Sequence, residues 1–156
     1  MELWELVARE SIRDLVARYN ANGDSGRFEQ MLDVFADDAV MELESEDGAV
    51  RRFEGRDRIA TIFTATKASW DALAGSTGGS GAGRAGHHVR HFVATHQIDV
   101  DDESHARGRS YFAVLMPHGL DHWGRYVDTY GIRNGRWVIT ERRALTDGRA
   151  GDGTGA

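Results

Sequence analysis

Residues 89–145 read VRHFVATHQIDVDDESHARGRSYFAVLMPHGLDHWGRYVDTYGIRNGRWVITERRAL. Four runs in this stretch, Val89–Val100, His105–Met116, Gly124–Arg133 and Arg136–Leu145, carry the two-residue alternation of half-buried strands. Asp101–Ser104 supplies a tight turn between the first two, and Asn134-Gly135 is a type I′ hairpin signal between the last two. Long strands joined by short turns predict an antiparallel meander, and a sheet of that length must twist and curl.

Toward the N-terminus the period changes to 3.6. Ile12, Leu15, Val16 and Tyr19 define one helical stripe, Leu3, Leu6 and Val7 extend it backward, and Asn22-Gly23-Asp24 ends it. Phe28, Met31, Leu32 and Phe35 repeat the spacing as a second, short helix, broken by Asp37-Asp38. Ala39–Glu44 and Ala49–Phe53 read as two strands around the turn Glu46-Asp47-Gly48. A third helix opens after Gly55, with Ile59, Ile62, Phe63 and Trp70 on or near one stripe. Helices first and strands afterwards predict an α+β domain. Helices packed on the concave face of its curved, mostly antiparallel sheet would leave a cone-shaped α+β barrel with one open end. One domain is expected over residues 1–147, with Gly75–Gly86 as a flexible glycine-rich loop and 148–156 as a disordered tail.

Composition narrows the function. The chain has 156 residues and a formal charge of −6, so it has no generic attraction for nucleic acid. It has no cysteine, which excludes a disulfide scaffold, a thiolate nucleophile and an iron–sulfur cluster. No apolar run is long enough for a membrane helix, and the first residues do not form a secretory signal, so a cytoplasmic setting is expected.

Both faces of the long strands carry polar groups, which points to a lined pocket in place of a dry core. His91 is a candidate proton-transfer group or a partly buried histidine satisfied by backbone. Asp24 either reaches over the pocket or caps the second helix. Tyr19 is core or pocket wall, and Arg142 steadies an oxyanion or makes a structural ion pair. Alternation places Thr95 on the His91 face, and Val138 and Thr140 on the Arg142 face. The cluster His87-His88-x-x-His91 invites a metal, but alternation divides it and no acidic ligand has the right spacing, so neither metal nor cofactor is expected. His118 and His122 flank Gly-Leu-Asp and read as a solvated rim.

Several segments in order resemble the SnoaL-like branch of the nuclear-transport-factor-2-like superfamily. They are Ile12–Tyr19 with Asp24, Phe35–Val40, Phe53–Ile59, Val89–Val93, Gly124–Asp128 and Asn134–Arg142. The resemblance implies a cone over an apolar cavity, in a family that includes polyketide cyclases, scytalone dehydratase, bile-acid dehydratase and hexachlorocyclohexane dehydrochlorinase. It implies that His91 abstracts a proton, that Asp24 orients it, and that Tyr19 and Arg142 complete the catalytic set. Tyr126, Asp128, Thr95, Phe63, Val138 and Thr140 would bind the substrate. At Thr95 this chain departs from the asparagine frequent in the family. The expected reaction is elimination, cyclisation or isomerisation on a small hydrophobic cyclic or polyketide-like molecule, in natural-product biosynthesis or catabolism. The expected assembly is a homodimer. A non-catalytic binding or scaffolding domain is the alternative reading of the same fold.

Overall fold

The computed structural model describes residues 1–76 and 89–151. Helix α1 spans Leu3–Asp24, α2 Phe28–Leu32 and α3 Arg56–Ser76. The strands are β1 Phe35–Glu44, β2 Val50–Glu54, β3 Arg90–Val100, β4 His105–Met116, β5 Gly119–Arg133 and β6 Arg136–Arg149. They form one curved, unclosed sheet in the order β2-β1-β6-β5-β4-β3, antiparallel except where β1 meets β6. The α+β architecture expected from the change in period is therefore present. No helix among the described residues is long and apolar enough to cross a membrane.

The buried stripe of α1 is Ala8, Ile12, Leu15, Val16, Tyr19 and Asn20. Its predicted backward extension is helical but exposed at Leu3, Leu6 and Val7. The core joins this stripe to Met31, Phe35, Met41 and Ile59 and to inward residues of β3–β6 such as Ile98, Phe112, Tyr126 and Ile139. Each large apolar side chain so buried contributes roughly 1.5–3 kcal/mol.

Three boundaries differ from the sequence expectation, each because strand pairing overrides a local signal. The second helix stops at Leu32, since Phe35 is drawn into the sheet: the Ile139 amide bonds the Val34 carbonyl at 2.8 Å, and Phe35 is fully buried. Asp37-Asp38 then breaks nothing, and sits exposed within β1 where its pairing with β6 slips between Phe35 and Val40. β5 begins at Gly119 and β6 ends at Arg149, because these strands continue to pair up to His122 opposite Arg149. Gly148 and Arg149, expected in the tail, are thus strand residues. Helix α3 includes Gly75 and Ser76; the remainder of the glycine-rich segment, with His87 and His88, lies outside the described residues.

The turn predictions agree with the structure. Asn134 and Gly135 have φ of 52° and 72°, the left-handed pair of a type I′ turn. At the first hairpin Gly48, with φ 81°, donates its amide to the Ser45 carbonyl at 2.8 Å.

Alternation along β3 is interrupted. Thr95 has φ 53°, and the register with β4 slips between Ala94 and Gln97. This β-bulge turns His96 and Ile98 inward on the side that His91 and Val93 occupy further up the strand, and leaves Thr95 exposed.

Candidate active site

Helix α1 and the start of β3 meet at the mouth of the concave face. Asp24, the last residue of α1, holds β3 with both carboxylate oxygens. Oδ2 accepts the His91 backbone amide at 2.9 Å, and Oδ1 accepts His91 Nδ1 at 2.6 Å. The Asp24 side chain is 9% exposed and that of His91 27%. An ionised carboxylate only accepts, so Nδ1 carries the proton, and Nε2 is the nitrogen at which this tautomer can act as a base. Nε2 makes no hydrogen bond among the described residues. The helix-cap alternative for Asp24 is absent, since the N-cap of α2 is Arg27 and no side chain bonds there.

His91 and Asp24 line a cavity of about 290 Å³ between α1, α3 and the sheet. This is at the small end of ligand pockets, which run from ~300 to 1,000 Å³. Its walls are apolar, with Phe28, Met31, Met41, Ile62, Phe63, Phe112 and Val114. Glu44, Ser45, Arg51 and Thr66 add polar groups away from the histidine.

Tyr19 and Tyr126 also line the cavity. Between their rings lies the Arg142 guanidinium, 4.3 Å from one centroid and 4.2 Å from the other. Arg142 makes a two-pronged pair with Asp128, at 2.9 and 2.7 Å, and Tyr130 donates to the same carboxylate at 2.9 Å. Burial opposes the Arg142 charge, but the Asp128 carboxylate more than restores it, and the guanidinium pKa is raised. Burial raises the Tyr19 phenol pKa against the pull of Arg142, and raises that of Tyr126 more strongly, so both hydroxyls are neutral donors.

This arrangement corrects several expectations. Arg142 and Asp128 do not line the cavity; they form a buried pair beneath it, the structural alternative read from sequence. Arg142 packs between the two tyrosine rings and has no face on the cavity. Thr95 is exposed on the bulge and does not line the cavity. Val138 lines a separate groove beside α1. Thr140 is the extra residue of a second bulge, where Thr129 pairs with Glu141 and Tyr130 with Ile139, and its hydroxyl is 2.8 Å from that of Thr129. Of the expected site residues, the cavity brings together His91, Asp24, Tyr19, Tyr126 and Phe63.

Sequence reasoning missed Asn20, Asp121 and His122, all of which line the cavity. Asn20 bonds the Val16 carbonyl at 2.9 Å, and the Tyr126 hydroxyl donates to its Oδ1 at 3.4 Å. His122 is no solvated rim: its side chain is 17% exposed, and Asp121 is fully buried. The signal was available, since alternation carried back from Tyr126 through Gly124 puts His122 on the same face. Among the described residues, no three histidine or carboxylate groups converge as a metal site.

Residues 4–143 match the SnoaL-like domain family, and the chain belongs to it. Among curated proteins, no sequence matches this chain. Solved structures agree on the fold. The beta subunit of a candidate aromatic-ring-hydroxylating dioxygenase from Novosphingobium aromaticivorans superposes with a TM-score of 0.71 at 19% identity, covering 94% of this chain and 93% of that one. A candidate scytalone dehydratase from the same organism gives 0.66 at 21%, covering 100% and 99%. An NTF2-like protein with a cystatin-like fold, also from that organism, gives 0.66 at 23%, covering 96% and 93%. The SnoaL-like family includes cofactor-independent enzymes, and the recognition drawn from the sequence segments is correct.

Proposed function

We propose that this protein is an acid–base enzyme in which His91 removes a proton from a carbon next to a carbonyl on a small, mostly hydrophobic cyclic molecule. Elimination, cyclisation or a double-bond shift follows. One observation carries the reading: the His91 imidazole lines an apolar cavity, with Nδ1 fixed by a buried carboxylate and Nε2 without a hydrogen bond among the described residues. Asp24 sets the tautomer and stabilises the imidazolium that forms, the orienting role of the aspartate in a triad, here without a nucleophile. Tyr19 and Tyr126, neutral and buried, are the hydroxyl donors nearest in chemistry to what an enolate oxygen needs. The cavity volume limits the substrate to about one or two rings. A polyketide-like metabolite is the substrate class we infer from the family, and no cofactor is required by this scheme.

The test is exchange of hydrogen for deuterium next to the carbonyl of cyclohexanones in D₂O, read by NMR. The wild type should exchange, and His91→Ala should not, with both proteins melting alike. Ligand binding without exchange in the wild type would favour a non-catalytic binding domain. We further propose that two copies pair through the outer face of β3–β5, where Phe92, Tyr111 and Trp123 are exposed on neighbouring strands. Trp123→Arg should then shift the sedimentation coefficient from dimer to monomer.

A further inference from the structure

His91 is not the only imidazole at the cavity wall. Where β4 meets β5, Val114 pairs with His122 and Leu115 with Leu120, so Asp121 is an extra residue. A bulge of this kind re-aims successive side chains, and here Asp121 and His122 both reach the cavity. Asp121 Oδ2 accepts His122 Nδ1 at 2.7 Å, and Oδ1 lies 3.0 Å from His118 Nε2, within ion-pair distance. The carboxylate has no exposure, His122 has 17%, and His118 reaches solvent at 36%. His122 Nε2 makes no hydrogen bond among the described residues. The Phe112 ring stands between the two cavity histidines, 6.5 Å from the His91 ring and 5.9 Å from the His122 ring. The cavity thus holds two imidazoles, each tied at Nδ1 to a buried carboxylate.

We propose that His122 is a second catalytic residue, a proton donor to a leaving hydroxyl, with Asp121 as its positioning residue and His118 as the second imidazole that holds that carboxylate in place. This rests on the reading of His91 as base, and narrows the reaction to loss of water. A double-bond shift can return the abstracted proton from one base. Elimination of water across opposite faces of the ring cannot, because the base that holds the proton is out of reach of the departing hydroxyl and a second donor is required. On a cyclic ketone bearing a hydroxyl on the β-carbon, His91 Nε2 takes the proton from the α-carbon. The C–H electron pair becomes the new C=C bond, the β-carbon–oxygen bond breaks, and the oxygen leaves as water with the proton of the His122 imidazolium. His91 ends protonated and His122 neutral. Asp121, buried against both imidazoles, stabilises the cation while it waits, and Nε2 takes its proton back from water that enters the cavity once the product leaves. Across the strand pair His122 lies opposite Arg149 of β6, and the Phe112 ring beside His122 also neighbours His91.

The experiment uses the full chain with 3-hydroxycyclohexanone in D₂O, following α-deuteration by NMR and cyclohexenone by absorbance. His122→Asn is the first variant, because an Asn amide keeps a donor at the Nδ1 position for Asp121 and removes the donor facing the cavity. Elimination should fall about 100-fold or more while α-deuteration continues within about tenfold. Asp121→Asn should lower kcat with KM little changed, and His118→Gln should lower kcat less. His122→Gln serves as a second variant, and melting curves exclude a folding defect. If elimination in both His122 variants equals wild type, or α-deuteration and elimination fall together in well-folded variants, the donor role is wrong while His91 stands. If the wild type does not exchange the α-proton, the base reading fails and this one with it.

Discussion

Replacing Asp24 by Asn tests the His91 tautomer more sharply than deleting either residue. The carboxylate now accepts twice, from the His91 backbone amide at 2.9 Å and from Nδ1 at 2.6 Å. An Asn side chain has one acceptor and one donor for those places. If its oxygen faced the ring, its NH₂ would meet the backbone N–H, leaving a partly buried donor unsatisfied at about 1–3 kcal/mol. The favoured arrangement therefore gives the oxygen to the backbone and the NH₂ to Nδ1. That moves the ring proton to Nε2 and turns the base into a donor. Recovering the productive tautomer costs the same 1–3 kcal/mol, about 5- to 150-fold. Losing the charged hydrogen bond to the developing imidazolium removes about 1.5–3 kcal/mol more. Proton abstraction should fall about 10²- to 10⁴-fold, with the melting temperature nearly unchanged because both contacts persist. Deuterium exchange measures the rate, and ring ¹⁵N shifts report which nitrogen bears the proton. Exchange within threefold of wild type, or an unchanged tautomer, would refute the reasoning.

Removing Arg142 by Arg142→Leu strands Asp128 without its buried cation and should cost about 3–5 kcal/mol, lowering the melting temperature by on the order of 10 °C. The double variant Asp128→Leu with Arg142→Met should recover much of that in chemical denaturation. Thr95→Gly should stabilise the fold by roughly 0.5 kcal/mol, since a left-handed non-glycine residue costs ~1–2 kcal/mol and glycine entropy returns ~0.5–1; deuterium exchange should not change. A Cβ at Gly124 would overlap the Leu145 carbonyl and crowd Phe112 at 2.8 Å, so Gly124→Ala should fail to give a cooperative melt. Burial lowers the His96 pKa below its usual 6.5, with Asp128 opposing. The unfolded chain then binds the proton first, so His96 costs nothing above about pH 6.5 and destabilises as pH falls below it. His96→Phe should flatten that acidic limb in denaturation midpoints measured from pH 7 to 5.

The fold was legible because its decisive signals are local: a change of period at the glycine-rich segment, and turn pairs such as Asn134-Gly135 that allow one backbone geometry. The Asp24–His91 pair was legible by resemblance, though spacing alone left helix capping equally open for Asp24. Errors in the site cluster at bulges. Counting by twos assumes an unbroken pleat, and one inserted residue reverses every later assignment on the strand. Thr95 and Thr140 are each such an insertion, and neither lines the cavity; His122 was missed for another reason, because the strand was begun only at Gly124. Phe35 was misread because its burial comes from β6, more than a hundred residues later in the chain. The role of Arg142 depended on which of its neighbours was buried with it, and alternation does not encode that.

The place of β6 also bears on how the polypeptide acquires its shape during synthesis. The last strand made is third in the sheet, between β1 and β5. While the ribosome is still translating, the β1–β2 hairpin has an open edge, and the β3–β5 meander has another that nothing yet covers. The two halves share few contacts until β6 emerges and zips them together, parallel on one side and antiparallel on the other. Such late, long-range closure slows folding and leaves two sticky intermediates in the meantime. Growth at lower temperature, or a chaperone that shields strand edges, should therefore raise the yield of native protein more than any change to its helices.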